Sequence, residues 1–214
     1  MLALGACGGG SADSPVTEQF YPEAEAEWEL VWQDEFDGDV LDANNWTPQI
    51  GDGSDYGLDR WGNAEQQWYL AENAAVSDGQ LTITARSEEV VSGFPYTSAR
   101  LRTADKFDFQ YGRVEVRARA ATGGGLWSAI WMLPTDTPYG TWAGSGEFDI
   151  MEVVNAGTAR ERVFLTAHHG FEWPLNQQAG MDVEIEGPGD DFHTYAIEWS
   201  DNLIHWFIDG EHHM

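Results

Sequence analysis

Gly112-Arg113-Val114-Glu115-Val116-Arg117-Ala118-Arg119 alternates apolar and charged residues. Val114, Val116 and Ala118 fall on one side, and Arg113, Glu115, Arg117 and Arg119 on the other. Successive side chains of an extended strand point to opposite faces, so this period of two predicts a half-buried β-strand. Leu81–Arg86 and Tyr195–Trp199 read the same way, and Ile204–Ile208 reads as a strand leading into an Asp209-Gly210 hairpin turn. Turn signals separate these runs: Asp37-Gly38, Asp78-Gly79, Ser92-Gly93, Gly123-Gly124-Gly125 and Gly187-Pro188-Gly189. No segment carries the 3.6-residue period of an amphipathic helix, and no tandem repeat is present. Many short strands joined by glycine-rich turns predict an all-β fold, a sandwich or a barrel. The stretch from Asn44 to Leu70 has little pattern but holds Trp46, Trp61 and Trp68, as a loop lining a site would.

With 214 residues the chain suits one domain with a sizeable core. It carries 37 acidic and 10 basic residues, a formal charge of −27. A polyanion would be repelled, which sets nucleic acid aside and disfavours acidic polysaccharides. Lys106 is the one lysine, and so acidic a surface is best tolerated where salt screens it. The 11 tryptophans point to a ligand with flat apolar faces and polar edges, such as a sugar ring.

The chain begins Met1-Leu2-Ala3-Leu4-Gly5-Ala6-Cys7, a short apolar run ending in small residues before the one cysteine. This resembles a bacterial lipoprotein signal with Cys7 as the lipidated residue, although no basic segment precedes it. Residues 8–27 are rich in Gly, Ser, Pro and acids and read as a tether. A lone cysteine forms no intramolecular disulfide. No later stretch approaches the roughly 18 unbroken apolar residues of a membrane span. The expected location is therefore extracytoplasmic, as a bacterial envelope lipoprotein or a secreted protein. Membrane contact would come only through the lipid, and a monomer is expected. At the other end the return strand of the Asp209-Gly210 hairpin has only Glu211–Met214, which reads as a chain cut short.

The chemistry concentrates in Glu147-Phe148-Asp149-Ile150-Met151-Glu152. Acidic spacing alone means little, because 37 acids in 214 residues give about one such match by chance. Asp37-Gly38-Asp39-Val40-Leu41-Asp42 has the same spacing and reads as a solvated loop. Context separates the two: Glu147, Asp149 and Glu152 sit among Phe148, Ile150, Met151, Val153 and Val154, where a carboxyl is costly unless used. Glu147 and Asp149 share a face, and Glu152 has the wrong parity. A β-bulge at or near Met151 would return it to that face. Three converging carboxyls suit retaining glycosidic cleavage, which needs one ionised nucleophile and one protonated acid about 5–5.5 Å apart. A calcium site and a plain acidic strand face are the competing readings.

Gly146-Glu147-Phe148-Asp149-Ile150-Met151-Glu152-Val153 resembles the signature of glycoside hydrolase family 16, laminarinase-like. Gly125-Leu126-Trp127-Ser128-Ala129-Ile130-Trp131-Met132-Leu133-Pro134 resembles its tryptophan-bearing cleft strand. Trp61-Gly62-Asn63-Ala64-Glu65, Thr97-Ser98-Ala99-Arg100, Tyr111-Gly112-Arg113-Val114-Glu115 and Thr194-Tyr195-Ala196-Ile197-Glu198-Trp199 resemble family segments in order. The resemblance runs from about Trp28 to the last residue. It implies a β-sandwich of jelly-roll type (concanavalin A-like) over residues 28–214, incomplete for want of C-terminal strands, after a signal remnant and tether over 1–27. It also implies that Glu147 is the nucleophile, Asp149 the assisting acid and Glu152 the general acid/base. Trp127, Trp131 and Trp142 would line donor-side subsites; Asn63, Glu65 and Arg100 would bind sugar hydroxyls. His168 would be the cleft histidine, with His169 standing where the family has an aromatic. The extra residue at Met151 matches the bulged strands of laminarinases, agarases and carrageenases, and the flanks favour β-1,3-glucan.

The implied activity is endo-hydrolysis of β-1,3-glucans such as laminarin. Mixed-linkage glucan, agar or porphyran as substrates, or a non-catalytic glucan-binding protein, are the alternatives. No cofactor is required by that chemistry. The family often carries a structural Ca²⁺, whose ligands the sequence does not assign.

Overall fold

A computed structural model describes residues 28–214. The expectations for residues 1–27, including lipidation at Cys7, lie outside the described residues. Trp32–Met214 form one compact unit; of the other unit only residues 28–31 are described, and they carry no regular element. Among the described residues the only helical elements are three short 3-10 segments, one of them kinked, so the all-β expectation holds.

Six short strands come first: β1 (Thr47–Gln49), β2 (Gln67–Tyr69), β3 (Ala74–Ser77), β4 (Gln80–Ile83), β5 (Tyr96–Ser98) and β6 (Arg100–Arg102). They form three two-stranded ladders, β1 with β6, β2 with β5 and β3 with β4. Two antiparallel four-stranded sheets follow. One is built from β8 (Trp127–Met132), β9 (Glu147–Val154), β10 (Arg162–His169) and β11 (Gln177–Val183), in the order β11-β10-β9-β8. The other is built from β7 (Gly112–Ala118), β12 (His193–Trp199), β13 (Ile204–Ile208) and β14 (Glu211–His212), in the order β14-β13-β12-β7.

The two sheets pack face to face, each contributing alternate residues to one core. Ile150, Met151, Val153, Val163 and Leu165 come from the first sheet, and Tyr195, Ile197, Trp206 and Ile208 from the second. The predicted faces of β7 are as read: Val114 and Ala118 pack against the core, and Glu115 and Arg117 are exposed. Asp209 and Gly210 both have positive φ, 52° and 79°, which closes the β13–β14 hairpin as expected.

β4 departs from expectation. It stops at Ile83 rather than running to Arg86, because its partner β3 offers four residues and the Asp78-Gly79 turn fixes the register. Ile83 is 44% exposed, since this ladder lies outside the two packed sheets.

Candidate active site

β9 carries the three carboxyls, and its alternation breaks at Ile150 and Met151. On β10, Phe164 faces Glu152 and Thr166 faces Asp149, so Leu165 alone opposes two residues. On β8, Ile130 faces Met151 while the next residue, Trp131, faces Asp149. Ile150 and Met151 both turn into the core, at 1% and 2% exposure. One extra inward residue resets the alternation, and Glu147, Asp149 and Glu152 leave the strand on the opposite face. The bulge stands where the sequence placed it.

The neighbouring strands complete that face. Residues opposite one another in a ladder share a side, so Trp131 and Thr166 flank Asp149, and His168 lies across from Glu147. Trp127 Nε1 donates to Glu152 Oε1 at 2.8 Å. His168 Nε2 lies 3.2 Å from Asp149 Oδ2 and 4.0 Å from Glu147 Oε1. The Trp142 ring sits 5.2 Å from the His168 ring.

Burial pushes the Glu147 carboxyl up to about 7, helped by the charge on Glu152 and opposed by a Trp142 hydrogen bond and the Arg100 charge. Asp149 rises to about 8, by burial and then by the charges of Glu152 and Glu147. Burial also raises Glu152, against the Trp127 hydrogen bond that favours its charged form. His168 is lowered by burial and by His169. Near neutral pH the group therefore holds protons among its carboxyls beside a neutral imidazole, with both proton donors and nucleophiles within reach. Such a set can deliver a proton to a leaving group while a second carboxylate attacks the carbon from the opposite side.

Arg100, on β6, is held in place from three sides. Its guanidinium lies over the Trp61 ring at 4.3 Å and the Trp131 ring at 4.6 Å, and its Nε donates to Gln49 Oε1 at 2.9 Å. It thus stacks between rings and lends its charge to Glu147. Asn63 and Glu65 lie together on the loop before β2, linked by a 3.4 Å hydrogen bond. Arg60, Trp61 and Gly62 in this loop all have positive φ, an uncommon run that the buried Trp61 stabilises by donating from Nε1 to the Gly51 carbonyl at 3.1 Å. The loop expected over residues 44–70 contains β1, β2 and this turn.

Gln67 and Trp61 also border this region. Gln67 donates to Glu65 Oε2 at 2.6 Å and to the Tyr69 hydroxyl at 2.9 Å, making a polar row. The period-two spacing of Glu65, Gln67 and Tyr69 was the available signal. Trp61 lay inside a recognised motif without being assigned a place.

Glu147, Asp149 and His168 bring one ligand atom each within 4.8 Å of one another, the one such group found among the described residues. This set does not fit calcium, which takes six to eight oxygens from charged or carbonyl donors. An imidazole is the wrong donor, and carboxyls raised to about 7 and about 8 hold protons that a cation would have to displace.

Comparison with known proteins agrees with this geometry. The family model "Glycosyl hydrolases family 16" matches residues 62–213. The chain is 41% identical over 200 residues to glucan endo-1,3-beta-glucosidase A1 of Niallia circulans, covering 85% of this chain and 28% of that protein. It is 44% identical over 189 residues to a beta-glucanase of Rhodothermus marinus, covering 85% of this chain and 63% of that protein. The laminarinase catalytic domain of Thermotoga maritima superposes with a TM-score of 0.78 at 37% identity, covering 88% of this chain and 76% of that one. The chain spans less than two thirds of the length of these two curated relatives. It belongs to glycoside hydrolase family 16, and its fold is the jelly-roll sandwich.

Proposed function

We propose that this family 16 member hydrolyses internal β-1,3-glucosidic bonds in β-glucans such as laminarin, by a retaining double displacement. The observation that carries this reading is the Ile150–Met151 bulge, which sets Glu147, Asp149 and Glu152 on one face beneath Trp127 and Trp131.

In the first step the Glu147 carboxylate attacks the anomeric carbon while Glu152 protonates the departing glycosidic oxygen. A glycosyl ester forms on Glu147 and the acceptor sugar leaves as an alcohol. In the second step Glu152, now a carboxylate, takes a proton from water. The water oxygen attacks the anomeric carbon, the ester bond breaks and Glu147 is regenerated. The Trp127 hydrogen bond to Glu152 favours the charged form that exists between the steps. Asp149, raised above Glu147 and facing a lowered His168, keeps its proton, so Glu147 can ionise without a further negative charge beside it. Trp127, Trp131 and Trp142 offer ring faces for donor-side sugars, with Arg100 bracing Trp131.

The homology to glucan-acting enzymes and the acidic surface suit an extracytoplasmic life on neutral polysaccharide, with Cys7 as a lipid anchor and the protein working as a monomer. No helix among the described residues is long and apolar enough to cross a membrane. The test is a panel of laminarin, mixed-linkage β-glucan, agar and porphyran with a reducing-sugar readout. Fastest release from laminarin, abolished by Glu147→Gln, is expected. Preference for a galactan, or binding without release, would overturn it.

A further inference from the structure

The aromatic surface continues past Trp142. The chain around Thr141 and the chain from Gly170 to Leu175 are clasped together. Glu172 Oε1 accepts from the Thr141 backbone N–H at 2.7 Å and from its hydroxyl at 3.0 Å. The Trp173 N–H donates to the Trp142 carbonyl at 3.1 Å. Glycine is needed where the two segments meet: Gly140 has φ 105°, and a Cβ there would stand 2.6 Å from the Glu172 carboxylate. The clasp brings the Trp173 ring 6.4 Å from that of Trp142, which itself lies 5.2 Å from the His168 ring. A path of rings therefore runs outward from the carboxyls.

At its far end Tyr139, Phe171, Trp173 and Leu175 bound an open groove of about 510 Å³. Tyr139 is 80% exposed and Trp173 72%. Adjoining large apolar side chains on a surface mark a place where something binds. The volume falls within the range of small-molecule sites, about 300–1,000 Å³. The one charged residue lining the groove, Glu172, is committed at Oε1 to Thr141. What remains is ring faces, which suit the C–H faces of neutral sugars.

We propose that this groove binds further glucosyl residues of the same β-glucan chain on the donor side of the cleft, with Trp173 as the stacking platform and the Glu172–Thr141 clasp holding it in place. The 6.4 Å spacing of the Trp142 and Trp173 rings lets one polymer lie across both, and the clasp fixes the platform before substrate arrives. The proposal rests on the β-glucanase reading and on Trp142 lying on the donor side.

The test measures kcat/KM for laminari-oligosaccharides of increasing length with the wild type, Trp173→Ala and Glu172→Ala. Both side chains are exposed, so melting temperatures should hold and report that the variants fold. The expected result is a loss that grows with chain length, reaching about tenfold on the longest substrates, or about 1.4 kcal/mol of transition-state binding. An equal loss at every length, or none, overturns the groove while leaving the catalytic reading intact. A wild type that cleaves no member of the series overturns the reaction itself and the groove with it. Sedimentation supplies a further outcome: a dimer that Trp173→Ala converts to monomer would make this a self-association surface and contradict the proposal.

Discussion

The indole nitrogen of Trp206, on β13 of one sheet, donates at 2.8 Å to the backbone carbonyl of Asp149, on β9 of the other. A bulge disrupts the local ladder, and a buried carbonyl beside it needs another donor. Trp206 is that donor and is itself 2% exposed. The carboxylate strand is thus pinned from behind by the opposite sheet. Trp206→Phe keeps most of the ring and removes the N–H. It should cost about 2 kcal/mol, from the orphaned carbonyl and the lost volume, read as a lowered melting temperature. An unchanged melting temperature would show that the bulge does not depend on this bond.

The carboxyl cluster should destabilise the fold as pH rises. Folded-state pKa values of about 7 for Glu147 and about 8 for Asp149 lie above the usual carboxylate range. Below the unfolded pKa, near pH 4, both states are protonated and the stabilising contribution is complete; it is lost as pH rises toward about 8. Asp149→Asn removes that penalty. The variant should match the wild type near pH 4 and exceed it by about 1–2 kcal/mol near pH 8, while losing activity. Melting curves at the two pH values check this, and a gain confined to the acid side would contradict it.

Trp127→Phe removes the N–H that favours ionised Glu152. Without it the pKa of Glu152 rises further, so the alkaline limb of the kcat/KM profile should move to higher pH. The maximum should fall about threefold to tenfold, the size of one lost hydrogen bond to a charged group.

Arg100→Met keeps apolar contact with Trp61 and Trp131 but removes the charge that favours ionised Glu147. The acid limb, which reports ionisation of the nucleophile, should therefore also move to higher pH. A profile shifted the other way would show that Arg100 does not act on Glu147.

Much of this was legible in the chain. The period of two in Gly112–Arg119 named the fold class, and the parity break at Met151 announced the bulge, because a strand can reset its faces only by an extra residue. Its detail was less legible: Ile150 and Met151 share the inward turn, both opposite Leu165 on the neighbouring strand, a pairing that only the folded sheet defines. Arg100 was legible as a candidate site residue, but its neighbours Gln49, Trp61 and Trp131 were not, since they lie far from it in sequence and meet it only through folding. Trp173 and Glu172 carried no local signal at all. Their places depend on Thr141, 31 residues before Glu172.

The double displacement is tested most directly by the anomeric configuration of the first product, followed by proton NMR in the opening minutes of laminari-oligosaccharide hydrolysis. Backside attack by Glu147 to form a glycosyl ester, followed by attack of water from the Glu152 side, inverts the carbon twice, so the β-anomer should appear first and mutarotate to the α-anomer. Initial release of the α-anomer would mean a single displacement by water and would contradict the role assigned to Glu147.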